Sequence, residues 1–63
     1  MSKRNVSIGI ERLEWSRDAC LANEAGRRER GETDQADADR DNAKALDDAI
    51  QVLQEYNTST EAT

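Results

Sequence analysis

Apolar residues recur every three or four positions between residues 33 and 56. At about 100° per residue they share one side of a helix, and acidic and amide residues take the other side. This pattern predicts an amphipathic helix over residues 34–56, called helix 2. The side that we expect to be buried carries Ala43, Leu46, Ala49, Ile50, Leu53 and Tyr56.

The first half of the chain has two apolar stripes instead of one. On a helical wheel, one stripe collects Val6, Ile10, Leu13, Cys20 and Leu21, with Ala25 at its edge. The other, on a separate side, collects Trp15, Ala19, Ala22 and Gly26. We predict helix 1 over about residues 7–30, with two sides available for packing.

A turn is predicted at about residues 30–33. Gly31 is suited to the left-handed conformation that follows a helix C-terminus, and Thr33 is suited to cap the next helix. Residues 1–6 are expected to form a flexible basic arm and residues 57–63 a disordered tail. The predicted fold is therefore all-α, a two-helix antiparallel hairpin.

A hairpin of this size has only one seam in which to bury apolar side chains. The chain has 63 residues, 35% of them hydrophobic, a single cysteine and no histidine, so no internal disulfide or zinc cluster supports it. Two helices also lack a third layer to cover a second apolar side. We therefore expect a homodimer in which two hairpins form a four-helix bundle.

Charge and hydropathy narrow the classes of partner. The net charge is −5, which disfavours non-specific binding to nucleic acid or to anionic membranes. No apolar run has the length of a membrane span or a signal-peptide core. We expect a cytoplasmic protein with no membrane partner and no cofactor.

Asp37, Asp39, Asp41 and Asp48 have a spacing that resembles the calcium loop of EF-hand proteins, in which oxygen ligands at positions 1, 3, 5 and 12 surround the ion. This resemblance implies a calcium-responsive module. It departs from the EF-hand pattern where Asn42 replaces the glycine of the sharp turn. We favour the simpler interpretation, an acidic first turn that complements the dipole of helix 2.

The chain lacks the groups that catalysis requires. Cys20 has no histidine to activate it and lies among apolar neighbours on the wheel, so a buried packing role is expected. The pairs of carboxylates fall on solvated sides of the helices, where nothing predicts a concave site. We expect a protein that is not an enzyme.

Trp15 is the main candidate for a functional residue. It lies about 160° from Leu13 on the wheel, away from the intrachain seam, and the candidate site around it comprises Arg12, Ala19, Ala22 and Arg27. Exposed tryptophan and arginine residues dominate the energetics of protein interfaces. One interpretation places Trp15 in a dimer interface, and the other places it against a partner protein.

These observations favour a small acidic regulator or inhibitor that binds a partner protein, in the manner of phage- or plasmid-encoded accessory proteins. In length and expected architecture the chain is similar to the plasmid-encoded repressor-of-primer proteins. That resemblance implies an alternative function, a dimeric hairpin that binds RNA. The basic residues that could contact phosphates are Lys3, Arg4, Arg27, Arg28 and Arg30. The arginines lie close to carboxylates and no aromatic residue interleaves with them, so we expect no nucleic-acid partner.

Overall fold

The computed structural model of the chain describes residues 2–62, with side chains described for residues 2–58. It consists of two α-helices, α1 (Lys3–Glu29) and α2 (Thr33–Ala62), joined by a short turn. The helices pack against each other in a rod whose Cα trace measures 50 × 14 × 13 Å. The predicted all-α helical hairpin is confirmed.

Helix α1 begins four residues earlier than the sequence predicts. Ser2, not Ser7, is the N-cap: its backbone is extended and its Oγ accepts a hydrogen bond from the Asn5 N–H at 3.1 Å. Val6 is buried between the helices, which fastens this first turn to the rest of the hairpin. The described part of the predicted flexible arm, residues 2–6, is therefore capped and mostly helical.

Helix α2 continues beyond Tyr56 to Ala62, where the sequence predicted a disordered tail. Asn57 is half-buried at the next position of the intrachain seam, and the Thr58 hydroxyl donates a hydrogen bond to the Gln54 carbonyl at 2.9 Å. The helix therefore continues through these residues although the sequence here has no apolar periodicity. Thr63, also part of the predicted tail, lies outside the described residues.

The turn follows from Gly31. Its φ of 78° lies in the left-handed region, which a glycine enters without a steric penalty. The Gly31 N–H donates to the Arg28 carbonyl at 3.1 Å, and the Glu32 N–H donates to the Arg27 carbonyl at 2.8 Å. These two bonds form a Schellman motif, which satisfies the last carbonyls of α1 and reverses the chain.

The seam between the helices follows a heptad pattern. Its positions alternate in steps of three and four, a mean period of 3.5 residues, which is the period of a left-handed coiled coil. Every seam residue is buried or half-buried. The seam consists of Val6, Ile10, Leu13, Arg17, Cys20, Glu24 and Arg27 on α1, and of Ala36, Asp39, Ala43, Leu46, Ile50, Leu53 and Asn57 on α2.

Ion pairs across the seam fix which residues lie at the same height. Arg17 pairs with Asp47, Arg27 with Asp39, and Arg28 with Asp37. The residue numbers of each pair add to between 64 and 66. A residue of α1 and a residue of α2 therefore lie side by side when their residue numbers add to about 65.

The seam has two halves of different chemistry. The open half, far from the turn, contains Val6, Ile10, Leu13, Leu46, Ile50, Leu53 and Asn57. The turn half contains Arg17, Cys20, Glu24, Arg27, Ala36, Asp39 and Ala43, so charged residues fill four of its seven positions. The large apolar side chains of the seam are thus confined to the open half.

Three residues predicted for the core lie outside this seam. Leu21 and Tyr56 are each 45% exposed, and Ala49 is exposed. The reason is width: the seam takes only two of the seven heptad positions, whereas the apolar stripe read from the sequence is wider, so these residues lie on its flanks. Ile50 is buried, and the remaining predicted core residues Ile10, Leu13, Cys20, Leu46 and Leu53 are half-buried.

Candidate functional site

Trp15 projects from the side of α1 that faces away from α2. Its side chain is 72% exposed, the largest exposed apolar surface among the residues whose side chains the structure describes. The Arg12 guanidinium carbon lies 5.7 Å from the ring centroid, which is within the range of a cation–π interaction. Arg12 therefore restricts the orientation of an indole that is otherwise open to solvent.

A second heptad stripe surrounds this tryptophan. Its positions are again spaced by four and three residues, and it runs along the outer edge of α1, opposite the seam. We call it the Trp15 ridge; it comprises Ile8, Arg12, Trp15, Ala19 and Ala22. Ile8 is 43% exposed and was missed in the sequence analysis, although it lies one heptad before Trp15.

Small residues leave the indole raised above its surroundings. Shallow depressions lie on both sides of the ring, one lined by Glu11, Arg12 and Trp15, and the other by Trp15, Ser16, Asp18 and Ala19. Both depressions are open to solvent and do not enclose a volume. They are therefore better suited to receive side chains from the surface of another protein than to bind a small molecule.

Arg27 does not belong to the Trp15 ridge, where the sequence analysis placed it. It occupies a seam position, and its Nη1 lies 3.1 Å from Oδ2 of Asp39. Asp39 is only 8% exposed, so this ion pair is built into the interface between the helices. Twelve residues separate Arg27 from Trp15, and at about 100° per residue this spacing turns Arg27 toward α2.

One broad face of the hairpin is charged. Arg17 Nη1 lies 2.8 Å from Asp47 Oδ1, and Arg28 Nη2 lies 2.7 Å from Glu24 and 3.0 Å from Asp37. Hydrogen bonds to Asp47 and then Asp18 raise the pKa of Arg17. Arg17 and Arg28 are thus both paired with carboxylates of the same chain. We call the side of the hairpin that carries these ion pairs the charged face.

Hydrogen bonds to Glu24 and then Asp37 likewise raise the pKa of Arg28. Arg27 is held by Asp39, and Arg30 forms an ion pair with Glu32 beside the turn. The arginine cluster that suggested phosphate binding therefore has carboxylate partners at each member. Few of its charges are available for counterion exchange with a nucleic acid.

The opposite face carries almost no charge. Because the helices are antiparallel, the positions on the other flank of the seam come together there. This neutral face comprises Gly9, Ser16, Ala19, Asn23 and Gly26 on α1, and Ala38, Asn42, Ala45, Ala49, Val52 and Tyr56 on α2. Arg12 stands at its border with the Trp15 ridge. Val52 is 64% exposed, so the neutral face leaves apolar surface in solvent.

The outer edge of α2 is acidic. Asp34, Asp41, Asp48 and Glu55 repeat at intervals of seven residues and form what we call the acidic edge. A seven-residue interval corresponds to roughly 10 Å along a helix, which is too far for shared ligation of one ion. The hairpin thus has four sides: the charged face, the neutral face, the Trp15 ridge and the acidic edge.

The calcium-loop alternative does not fit this geometry. Residues 37–48 lie within the continuous helix α2. Asp37 and Asp39 are on the side of α1, and Asp41 and Asp48 are two turns apart on the acidic edge, so the four carboxylates do not surround a point. Among the described residues, no group of three carboxylate or thiol side chains is placed to hold a metal ion. Asp37 and Asp39 are instead used in ion pairs with arginines of α1.

Other proteins provide no further guide. Comparison with protein-family models, with curated protein sequences and with solved structures gives no match. Neither helix, as far as the structure describes them, is both long enough and apolar enough to cross a membrane.

Proposed function

We propose that the protein is a non-catalytic helical module that binds a partner protein through the Trp15 ridge and so acts as a regulator or inhibitor. The observation that carries this proposal is the exposure of Trp15. An indole in water on a rigid helix presents a large apolar area at a low cost in side-chain entropy. Arg12 adds a cation that is already positioned against the ring.

The surroundings of Trp15 support a protein partner over a small molecule. The ridge is convex and its neighbours are small, so a matching pocket on a partner can reach the whole indole. Tryptophan and arginine are also the residue types that contribute most to binding at protein interfaces. The acidic edge adds a negative surface that favours partners with basic patches.

The proposal is tested by affinity capture with three versions of the full chain. The wild type is compared with Trp15→Ala and with Gln51→Ala, an exposed control on α2 at the side away from the ridge. We expect the wild type and Gln51→Ala to retain the same protein, and Trp15→Ala to lose it by a factor of about 30 or more in affinity.

Circular dichroism and solution mass establish that each variant keeps its fold and oligomeric state. Equal capture by Trp15→Ala and the wild type would remove the ridge from the binding site. Absence of any protein retained by the wild type, across lysates and concentrations, would count against the proposed function itself.

A further inference from the structure

We propose that the neutral face is the docking surface for a second copy of this chain, with the two-fold axis parallel to the helices and both turns at the same end. In this arrangement α1 of each copy lies over α2 of the other copy. The product is an antiparallel four-helix bundle whose interface lies beside the Trp15 ridge and shares with it only Ala19 and, at the border, Arg12.

The size of the face fits a second copy. The Cα trace is 50 Å long and 14 Å wide, so the face presents on the order of 700 Å² in projection, close to the roughly 800 Å² per partner of a stable interface. The hairpin also needs this cover. Its buried apolar residues are Val6, Ala36, Ala43 and Ile50 among those described, and two of these are alanines.

The residues at equal heights are complementary in size and polarity. With the two-fold axis along the helices, residues at the same height in the two copies face each other. A neutral-face residue of α1 therefore faces an α2 residue of the second copy when the two residue numbers add to about 65. Gly9 then faces Tyr56 of the second copy. Because Gly9 has no side chain, there is room above it for the large ring of the tyrosine. Ser16 faces Ala49, and small residues at this level let the helices approach closely.

Nearer the turn, Asn23 faces Asn42 of the second copy, so two amides meet where each can donate and accept a hydrogen bond. The layers therefore run from an aromatic contact at the open end, through a small-residue contact, to a polar contact. A polar layer of this kind helps to fix the register of packed helices.

Charge selects this orientation over the other two-fold arrangement. If the axis ran across the helices, α2 would lie over α2 and the two acidic edges would be side by side, which like charges oppose. In the proposed arrangement the acidic edge of one copy lies beside Arg12 of the other. Glu55 is the acidic residue nearest in height to Arg12, so these two residues are expected to form two equivalent ion pairs.

The first test measures solution mass by sedimentation equilibrium. The wild type is expected at twice the 7.1 kDa of the chain. Ala49→Glu puts a carboxylate in the centre of the neutral face and is expected to raise the dimer Kd at least 100-fold. Ala25→Glu, the same change at an exposed alanine of α1 away from this face, is the matched control and is expected to remain dimeric.

The second test is a charge exchange, which does not depend on disrupting the centre of the face. Arg12→Glu and Glu55→Arg are each expected to raise the dimer Kd about tenfold, and the double variant to restore it to within about twofold. A wild type that is monomeric at several hundred micromolar, or equal effects of Ala49→Glu and Ala25→Glu, would overturn the docking surface. A double variant no tighter than the single variants would overturn the orientation.

Discussion

The open half and the turn half of the seam share one geometry but not one chemistry. Both follow the same heptad spacing, yet six of the seven positions of the open half carry branched apolar side chains, whereas the turn half carries four charged residues, two alanines and a cysteine. Burial of large apolar groups stabilises a fold, whereas a buried ion pair contributes little net stability and instead restricts which arrangement is allowed. The comparison teaches that stability and register are provided by different parts of one interface.

The largest expected effect comes from removing an apolar side chain of the open half. Ile50 is 4% exposed, and Ile50→Ala is expected to lower the free energy of unfolding by about 2–5 kcal/mol, through lost burial and the cavity that remains. Chemical denaturation followed by circular dichroism measures this change. Gln51→Ala, next in sequence but exposed, is the control and is expected to stay within about 0.5 kcal/mol.

A smaller effect of opposite sign is expected in the turn half. Replacing both members of the Arg27–Asp39 pair, by Arg27→Leu with Asp39→Leu, gives this region the chemistry of the open half. We expect the double variant to be more stable than the wild type by about 1–3 kcal/mol, because desolvation of the ion pair is no longer required.

Asp39→Leu alone leaves Arg27 without its carboxylate and is expected to be less stable than the double variant. The two proteins are compared by the midpoint of denaturant unfolding at equal slope. A double variant that is less stable than the wild type would show that this ion pair stabilises the hairpin, and the distinction between the two halves would then be lost.

The smallest expected effect is at the turn itself. Gly31→Ala forces a side chain into the left-handed region and is expected to cost about 1 kcal/mol. No atom lies within 4 Å of the position that a Cβ would take, so the cost comes from the backbone and not from a clash. Gly31→Asn, which tolerates this conformation, is expected to lose less, as read from the thermal midpoint of unfolding.

Much of the fold was predictable from the sequence, because few residues interrupt helix formation and Gly31 marks the reversal. The charged members of the seam, such as Glu24 and Asp39, were not predicted, since a hydrophobicity pattern gives no weight to ion-paired residues that are buried. The heptad spacing from Val6 to Leu13 does continue through Glu24 on α1, and the spacing from Leu46 to Leu53 extends back through Asp39 on α2. Following the spacing instead of the hydrophobicity would have identified the whole seam.

The candidate site was predicted in part. The position of Trp15 on the wheel correctly indicated a side chain away from α2, since a rotation of about 160° is insensitive to small errors in helical period. Arg27 was misplaced although the same wheel puts it about 120° from Trp15, on the side of Leu13, so its position beside α2 could have been predicted from the sequence. The neutral face required both helices and their antiparallel orientation, which a wheel of one helix does not contain.

The seam also sets an order of events during folding. Arg28 and Asp37 are nine residues apart in sequence, whereas Arg17 and Asp47 are thirty apart. Closing the longer segment costs on the order of 1 kcal/mol more in chain entropy. We therefore expect the ion pairs beside the turn to form early and to set the register before the apolar side chains of the open half meet, so that the weaker half of the interface aligns the stronger one.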